Sequence, residues 1–324
     1  MNDTIIGFIG CGEVATVHAT LLAELPGAAL GPLYDPDPRR AELLKERCGG
    51  ELAASAEEVI ARAEAIYVTS PNRTHVGYAL AALEAGRHVF CEKPFALNLA
   101  EAEKVRAAAE RSGKVYQLGF NRRFAPAYAA MKSMIANGEL TPRSFNIKMN
   151  RGELQHPAWT SDATVTGGFL FESTLHLFDM VRFLFGEVAE VQAVGRKGLY
   201  PCVDSFSLLL TMESGVHGVF SSCAHASWHF PFERVEIYGD HATVQNDEME
   251  SVSWCLGLAQ PTELRRFGTL PHADRWGFRT EDTLFLRRIQ GQRDDRICQV
   301  ATAVDGWRNV EFIERVYALV GLGR

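Results

Sequence analysis

Short apolar runs alternate with stretches of helical periodicity through the first third of the chain. The runs place strands at residues 5–9, 29–34, 65–69, 88–91 and 115–118. Brief, wholly apolar strands separated by helices indicate βαβ units and a parallel sheet covered on both faces. The helices carry their own punctuation. Ser55 followed by Glu58 has the spacing of a capping box, Asn98 with Glu101 is a weaker version, and Gly86 and Gly113 sit where C-caps belong.

Beyond about residue 119 the rhythm changes. Helices are expected at residues 126–136 and 172–185, followed by longer alternating runs at 205–212, 216–221 and 234–238. Turn signals at Ser214-Gly215 and Gly239-Asp240 make these runs an antiparallel sheet. Phe206, Leu208 and Leu210 alternate with Ser205, Ser207 and Leu209, which leaves apolar side chains on both faces and predicts a homodimer or homotetramer. Two amphipathic segments, 280–289 and 307–319, are expected to pack on that sheet. The pattern as a whole predicts an α/β Rossmann domain, residues 1–120, followed by an α+β domain, residues 121–324, with a large, mostly antiparallel open sheet.

Composition narrows the function classes. A chain of 324 residues, 47% of them hydrophobic, can fill two cores. The net charge of -7 argues against nucleic acid as a partner, because such binding neutralises phosphates with a basic face. Seven scattered cysteines, odd in number and without a CxxC pair, argue against a disulfide framework or a zinc cluster and favour the cytoplasm. The first strand starts too early to leave room for a signal peptide, and no apolar run is long enough to span a bilayer, so no membrane partner is expected.

The candidate chemistry begins in the first βα turn. Gly10-Cys11-Gly12-Glu13-Val14-Ala15 follows a strand and opens a helix, matching GxGxxG/A. Gly10 allows the tight turn, Gly12 lets the backbone approach a pyrophosphate, and the N–H groups of the helix start supply donors and a positive dipole end. Asp35 ends the second strand, where a carboxylate accepts hydrogen bonds from the adenosine ribose and repels a 2′-phosphate; NAD is therefore expected over NADP. The next strands end in Thr69-Ser70-Pro71-Asn72 and Glu92-Lys93-Pro94, at the edge that faces the ligand crevice of such a sheet. An ammonium aimed there by Lys93 can polarise a substrate hydroxyl.

These motifs resemble the Gfo/Idh/MocA oxidoreductase family, named for glucose-fructose oxidoreductase and inositol dehydrogenase. The resemblance runs through Gly10-Cys11-Gly12 with Asp35, Thr69-Ser70-Pro71-Asn72 with His75, Glu92-Lys93-Pro94, Gly119-Phe120-Asn121-Arg122-Arg123-Phe124, and Gly167-Gly168 leading to His176-Leu177-Phe178-Asp179. It implies an NAD-dependent hydride transfer on the carbinol of a sugar, cyclitol or sugar derivative, with a phosphate- or nucleotide-bearing sugar among the candidates. The family's catalytic lysine falls on Lys93 and its acid/base histidine on His176; His75 and Glu92 join the cofactor site, and the Lys93-Pro94 bond is expected to be cis. Glu172 stands where the family commonly has aspartate, on the same helical face as His176 and one methylene longer. Asn121 and Arg123 would line the pocket mouth, although Arg123 equally suits a loop anchor, and Trp159 suits either a sugar-stacking platform or core. Two other classes are compatible with the fold. A nucleotide-sensing regulator would have no need of both Lys93 and His176, and a glycoside hydrolase that recycles NAD would accumulate no NADH.

Overall fold

The computed structural model describes residues 3–152, 158–227 and 230–322. The chain forms two compact units, Met1–Asn121 with Phe278–Val310, and Arg122–Gly277 with Glu311–Arg324. In order, the first pass through unit 1 contains β1 (Thr4–Ile9), α1 (Glu13–Glu24), β2 (Ala28–Tyr34), α2 (Pro38–Cys48), β3 (Glu51–Leu52), α3 (Ala56–Arg62), β4 (Ala65–Val68), α4 (His75–Glu84), β5 (His88–Glu92), α5 (Leu99–Ser112) and β6 (Tyr116–Gly119). All six strands are parallel, in the order β3-β2-β1-β4-β5-β6. The order reverses between β1 and β4, and it is outside such a switch point that the C-terminal ends of the strands leave a ligand crevice. The expected caps are in place: the Ser55 hydroxyl accepts from Glu58 N at 3.3 Å, the Asn98 side chain from Glu101 N at 2.9 Å, and Gly113 closes α5 in the left-handed conformation.

Unit 2 follows with α6 (Pro126–Ala136), β7 (Pro142–Asn150), α7 (Ala163–Thr166), α8 (Leu175–Phe185) and β8 (Val188–Arg196). A run of strands continues it: β9 (Ser205–Met212), β10 (His217–Cys223), β11 (Glu233–Gly239), β12 (Ala242–Asp247), β13 (Ser251–Leu256) and β14 (Glu263–Arg266), then α9 (His272–Arg275). The eight-stranded sheet runs β14-β13-β12-β11-β7-β10-β9-β8 and is antiparallel except where β7 and β10 pair in parallel. Along β9, Phe206, Leu208, Leu210 and Met212 point inward, where aromatic contacts such as Phe178–Phe220 and Phe145–Phe185 bind α8 to the sheet. The outward face keeps Leu209 45% and Val219 49% exposed.

The chain closes with α10 (Phe278–Ile289) and α11 (Ala303–Leu319), and here the sequence expectation is corrected. α10 belongs to unit 1. Its Phe285 and Leu286 join Phe8, Tyr67, Phe90 and the apolar stripe of α1 in one buried cluster. Gln117 Nε2 donates to Glu281 O at 3.0 Å, which ties α10 to β6. Amphipathic periodicity states that a face must be buried, worth about 1.5–3 kcal/mol for a side chain such as Phe285, but not against what. α11 contributes its first residues to unit 1 and its remainder to unit 2, where Phe312 meets Phe178 and the Tyr317 hydroxyl accepts from Leu170 N at 3.2 Å.

Candidate active site

Gly10 has φ +94°, and a Cβ added there would lie 2.5 Å from Ser70 N, so only glycine lets the β1 and β4 loops touch. Thr69 Oγ1 seals the contact by donating to Gly10 O at 2.6 Å. Around Gly12, by contrast, a Cβ would meet nothing within 4 Å, and α1 starts there with no side-chain cap. The open approach and the uncommitted helix start are what a pyrophosphate requires. At the end of β2, Asp35 is oriented by its own neighbours: Oδ2 accepts from Cys11 N at 2.8 Å and Oδ1 from Asp37 N at 2.9 Å. These residues fit a dinucleotide whose ribose diol meets Asp35. Cys11 is buried in the same turn, and burial, then the Asp35 carboxylate, pushes its thiol up to about 12, so it remains neutral.

The loops after β4 and β5 are held from behind. His75 is 1% exposed, with Nδ1 2.9 Å from Pro94 O and Nε2 2.7 Å from Ser70 O, and burial holds its pKa below the ordinary imidazole value. His75, expected in the cofactor site, bridges the two loops through both ring nitrogens. Glu92 is likewise held by protein groups. Its carboxylate is buried, accepting from the Lys93 backbone N–H at 3.2 Å with Oε2 and lying 3.1 Å from His18 Nε2 with Oε1. Gly119 is what lets Glu92 fit, since a Cβ there would come within 2.7 Å of Oε1. Lys93, half-buried at the end of β5, precedes the expected cis bond to Pro94. Asn72 and Asn121 are buried.

In unit 2, Glu172 and His176 stand on consecutive turns of different kinds. Residues Leu170–Thr174 form a π-helical turn that leads into α8, so Glu172 precedes the α-helix in which the sequence placed it. Such turns recur at functional sites. Thr174 and Ser222 share a hydrogen bond of 2.7 Å between their hydroxyls, and Ser222 donates to Met149 O, pinning the junction to the sheet. His176 is almost fully buried and Glu172 half-buried.

Arg123 resolves toward the anchoring role. It is 4% exposed, and its Nε and Nη2 donate to Asp179 Oδ2 and Oδ1 at 2.7 and 2.6 Å, so it clamps α8 one turn beyond His176. Arg122 does the same for β11 through Glu233, to which the Tyr128 hydroxyl also donates at 2.8 Å. Trp159 lies in the turn Ala158–Ser161, but its side chain falls outside the described residues. Among the described residues no group of three or more His, Cys, Asp or Glu is placed to hold a metal ion, and no helix is long and apolar enough to cross a membrane. Sequence reasoning missed His18, Tyr67 and Asp282, which meet behind Glu92; the available signal was a histidine inside the buried Ala15–Ala19–Leu22 stripe of α1.

Comparison with known proteins places the fold in a family. Residues 5–120 match the Gfo/Idh/MocA model of an oxidoreductase family with an NAD-binding Rossmann fold, and residues 128–245 match the Gfo/Idh/MocA C-terminal domain. A myo-inositol 2-dehydrogenase of Thermotoga maritima is 31% identical over 262 residues, 78% of this chain and 77% of the relative. A glucose-6-phosphate 3-dehydrogenase of Bacillus subtilis is 37% identical over 186 residues, 56% of this chain and 53% of the relative. The structure of levoglucosan dehydrogenase with NADH and levoglucosan superimposes with a TM-score of 0.88 at 19% identity, covering 99% of this chain and 97% of the other, which establishes a common fold. With both units matched by the family's models, the chain belongs to the Gfo/Idh/MocA family and is an NAD-dependent oxidoreductase acting on CH–OH groups.

Proposed function

We propose that this enzyme oxidises, or in reverse forms, a secondary carbinol of a sugar, cyclitol or sugar derivative. The observation that carries the reading is the lysine at the end of β5: Lys93 follows a strand of the nucleotide unit, and its backbone N–H is fixed by a buried carboxylate. One relative is named as a dehydrogenase of a cyclitol and another of a sugar phosphate, which supports the substrate class and keeps phosphorylated sugars in it. NAD, when bound, takes up the hydride. Lys93 supplies the positive charge that stabilises the developing alkoxide, His176 takes the hydroxyl proton, and Glu172 orients the histidine or a second hydroxyl. Asp35 favours NAD over NADP. The apolar outward face of the β8–β10 strands supports a homodimer or homotetramer, and the seven free thiols support a cytoplasmic location.

The test is a screen of polyols, aldonates, sugar phosphates and nucleotide sugars for NADH formation. Accumulation of NADH supports net oxidation. Turnover without NADH would point to NAD recycling within a hydrolase, and NAD binding with no turnover to a sensor. On the substrate so found, Lys93→Ala and His176→Ala should each lower kcat by ~10²- to 10⁴-fold with NAD affinity nearly unchanged. Turnover like that of the wild type in either variant removes that residue from the mechanism.

A further inference from the structure

A second polar cluster lies wholly inside unit 1, behind the loop that carries Lys93. His18, on α1, is 0% exposed, and both of its ring nitrogens face carboxylates: Nδ1 is 2.7 Å from Asp282 Oδ1 and Nε2 3.1 Å from Glu92 Oε1. The Tyr67 hydroxyl, from β4, donates to the same Asp282 oxygen at 3.0 Å. The imidazole is otherwise walled by the rings of Tyr67, Phe90 and Phe278, with centroids 4.9–5.5 Å away. The groups that titrate around it are therefore Glu92 on β5, Tyr67 on β4, and Asp282 with its neighbour Glu281 on α10.

We infer that His18 is a positioning residue for Lys93: a buried imidazolium that bridges Glu92 to Asp282 and so fixes the carboxylate on which the Lys93 backbone is hung. The inference rests on the catalytic reading of Lys93 given above. Two carboxylate oxygens face the two ring nitrogens; burial raises the Asp282 carboxyl, and His18 and the Tyr67 hydroxyl act against that shift. Two acceptors at hydrogen-bond distance call for two N–H donors, and a neutral imidazole has one. A buried carboxylate pair also needs a countercharge. Burial alone opposes charging of the ring, but the Asp282 and Glu92 carboxylates overcome it and push the His18 pKa up to about 10.

The chain of contacts is short: imidazolium to Glu92 Oε1, Glu92 Oε2 to the Lys93 N–H, and then the lysine side chain itself. Asp282 arrives on α10, 264 residues after His18, so the returning C-terminal segment supplies one end of the bridge. Loss of the bridge leaves Glu92 without its partner, free to draw the β5 loop and Lys93 out of place. A positioning error of this kind falls on turnover more than on cofactor binding, because the pyrophosphate and ribose contacts lie elsewhere, at Gly12 and Asp35.

The first experiment needs no substrate. In ¹⁵N-histidine-labelled full-length protein at pH 8, with His18 assigned through contacts to Tyr67 and Phe90, both imidazole nitrogens should carry protons. A neutral tautomer at that pH overturns the inference, whatever Lys93 does. The second uses the polyol or sugar that yields NADH in the screen, well below the melting temperature. His18→Asn should lower kcat at least 10-fold with KM for NAD within threefold, and Glu92→Gln should reproduce the loss, with the double variant no worse than either. If His18→Asn does not fold, Glu92→Gln alone must show the split between kcat and KM. A stably folded variant of either kind that turns over like the wild type reduces the cluster to a fold-stabilising role and overturns the inference. Lys93→Ala with full activity would sink the catalytic reading while leaving the state of His18 measurable.

Discussion

Replacing Asp179 by alanine leaves the Arg123 guanidinium buried without the carboxylate that it holds through two hydrogen bonds of 2.7 and 2.6 Å. Charge-assisted bonds of this kind contribute about 1.5–3 kcal/mol each. Two unit charges about 4 Å apart attract by about 4 kcal/mol at an effective dielectric constant near 20. Both routes agree with the ~3–5 kcal/mol typical of removing one partner from a buried pair. For a chain of 324 residues that corresponds to a fall in Tm of roughly 4–7 °C, from an unfolding entropy of about 2.1 cal/mol/K per residue. The Phe183 ring, 5.1 Å from the Arg123 guanidinium carbon, recovers none of it, since that cation–π contact is already present before the substitution.

The double replacement Arg123→Met/Asp179→Leu is the decisive arm. It removes both charges and keeps similar volume, and buried pairs treated in this way commonly lose little stability. Urea unfolding followed by circular dichroism should therefore show each single variant (Arg123→Met, Asp179→Leu) destabilised by ~3–5 kcal/mol, as Asp179→Ala is, and the double variant recovering at least half of that loss. Activity should part company with stability here. Asp179 lies one turn along α8 from His176, so the apolar pair can restore the fold while still letting the helix settle differently, and kcat should remain below that of the wild type. Single variants within about 1 kcal/mol of the wild type would refute the reasoning, because such a value is that of an exposed pair and not of a buried one.

Asp35→Ser should narrow the preference for NAD over NADP, read as the ratio of dissociation constants; equal or tighter NADP binding by the unaltered enzyme would show that Asp35 does not face the 2′ position. Native stability should fall with rising pH across the window set by His18. Its pKa is raised from 6.5 to about 10 on folding, so the folded state binds the extra proton: the stabilisation is complete below pH 6.5 and lost as pH climbs through about 10. Denaturation midpoints measured across that range should drop, and should drop less in His18→Asn. Iodoacetamide at pH 8 should label exposed Cys298 while sparing Cys11 and Cys91, whose thiols burial pushes up to about 12; mass spectrometry showing Cys11 alkylated in the native protein would contradict that.

Much of unit 1 was legible because its signals are local. A parallel strand buried from both sides must be apolar throughout, and β1, β2, β4, β5 and β6 all stand within a residue or two of the runs that announced them. Gly10 was legible for the same reason, since the backbone turn it permits lies within three residues of it. β3, two residues long, and β8, whose residues are mostly exposed, gave no such signal. Nor did the π turn at Leu170–Thr174, where an apolar run dictates burial but leaves the hydrogen-bond register to the neighbours, here Ser222 and Tyr317.

What periodicity cannot carry is the identity of a partner across the chain, and His75, Glu92 and Arg123 show the consequence. The sequence reads His75 and Glu92 as facing the cofactor and leaves Arg123 equally suited to a pocket mouth or a loop anchor, because a polar residue just beyond a strand has either a ligand or a protein group to meet, and the sequence near it does not distinguish the two. The structure finds a protein group in every case: two carbonyl oxygens for His75, an imidazole for Glu92, a carboxylate for Arg123. One rule would have narrowed the choice. A charged residue inside an apolar stripe must be neutralised from another element, and this chain has such residues in His18 on α1 and in Asp282 beside Leu284 and Phe285 on α10. Had α10 been matched to α1 through that complementarity, and not assigned to the nearest sheet by its amphipathic face, the division of the chain into two discontinuous units would have followed from the sequence as well.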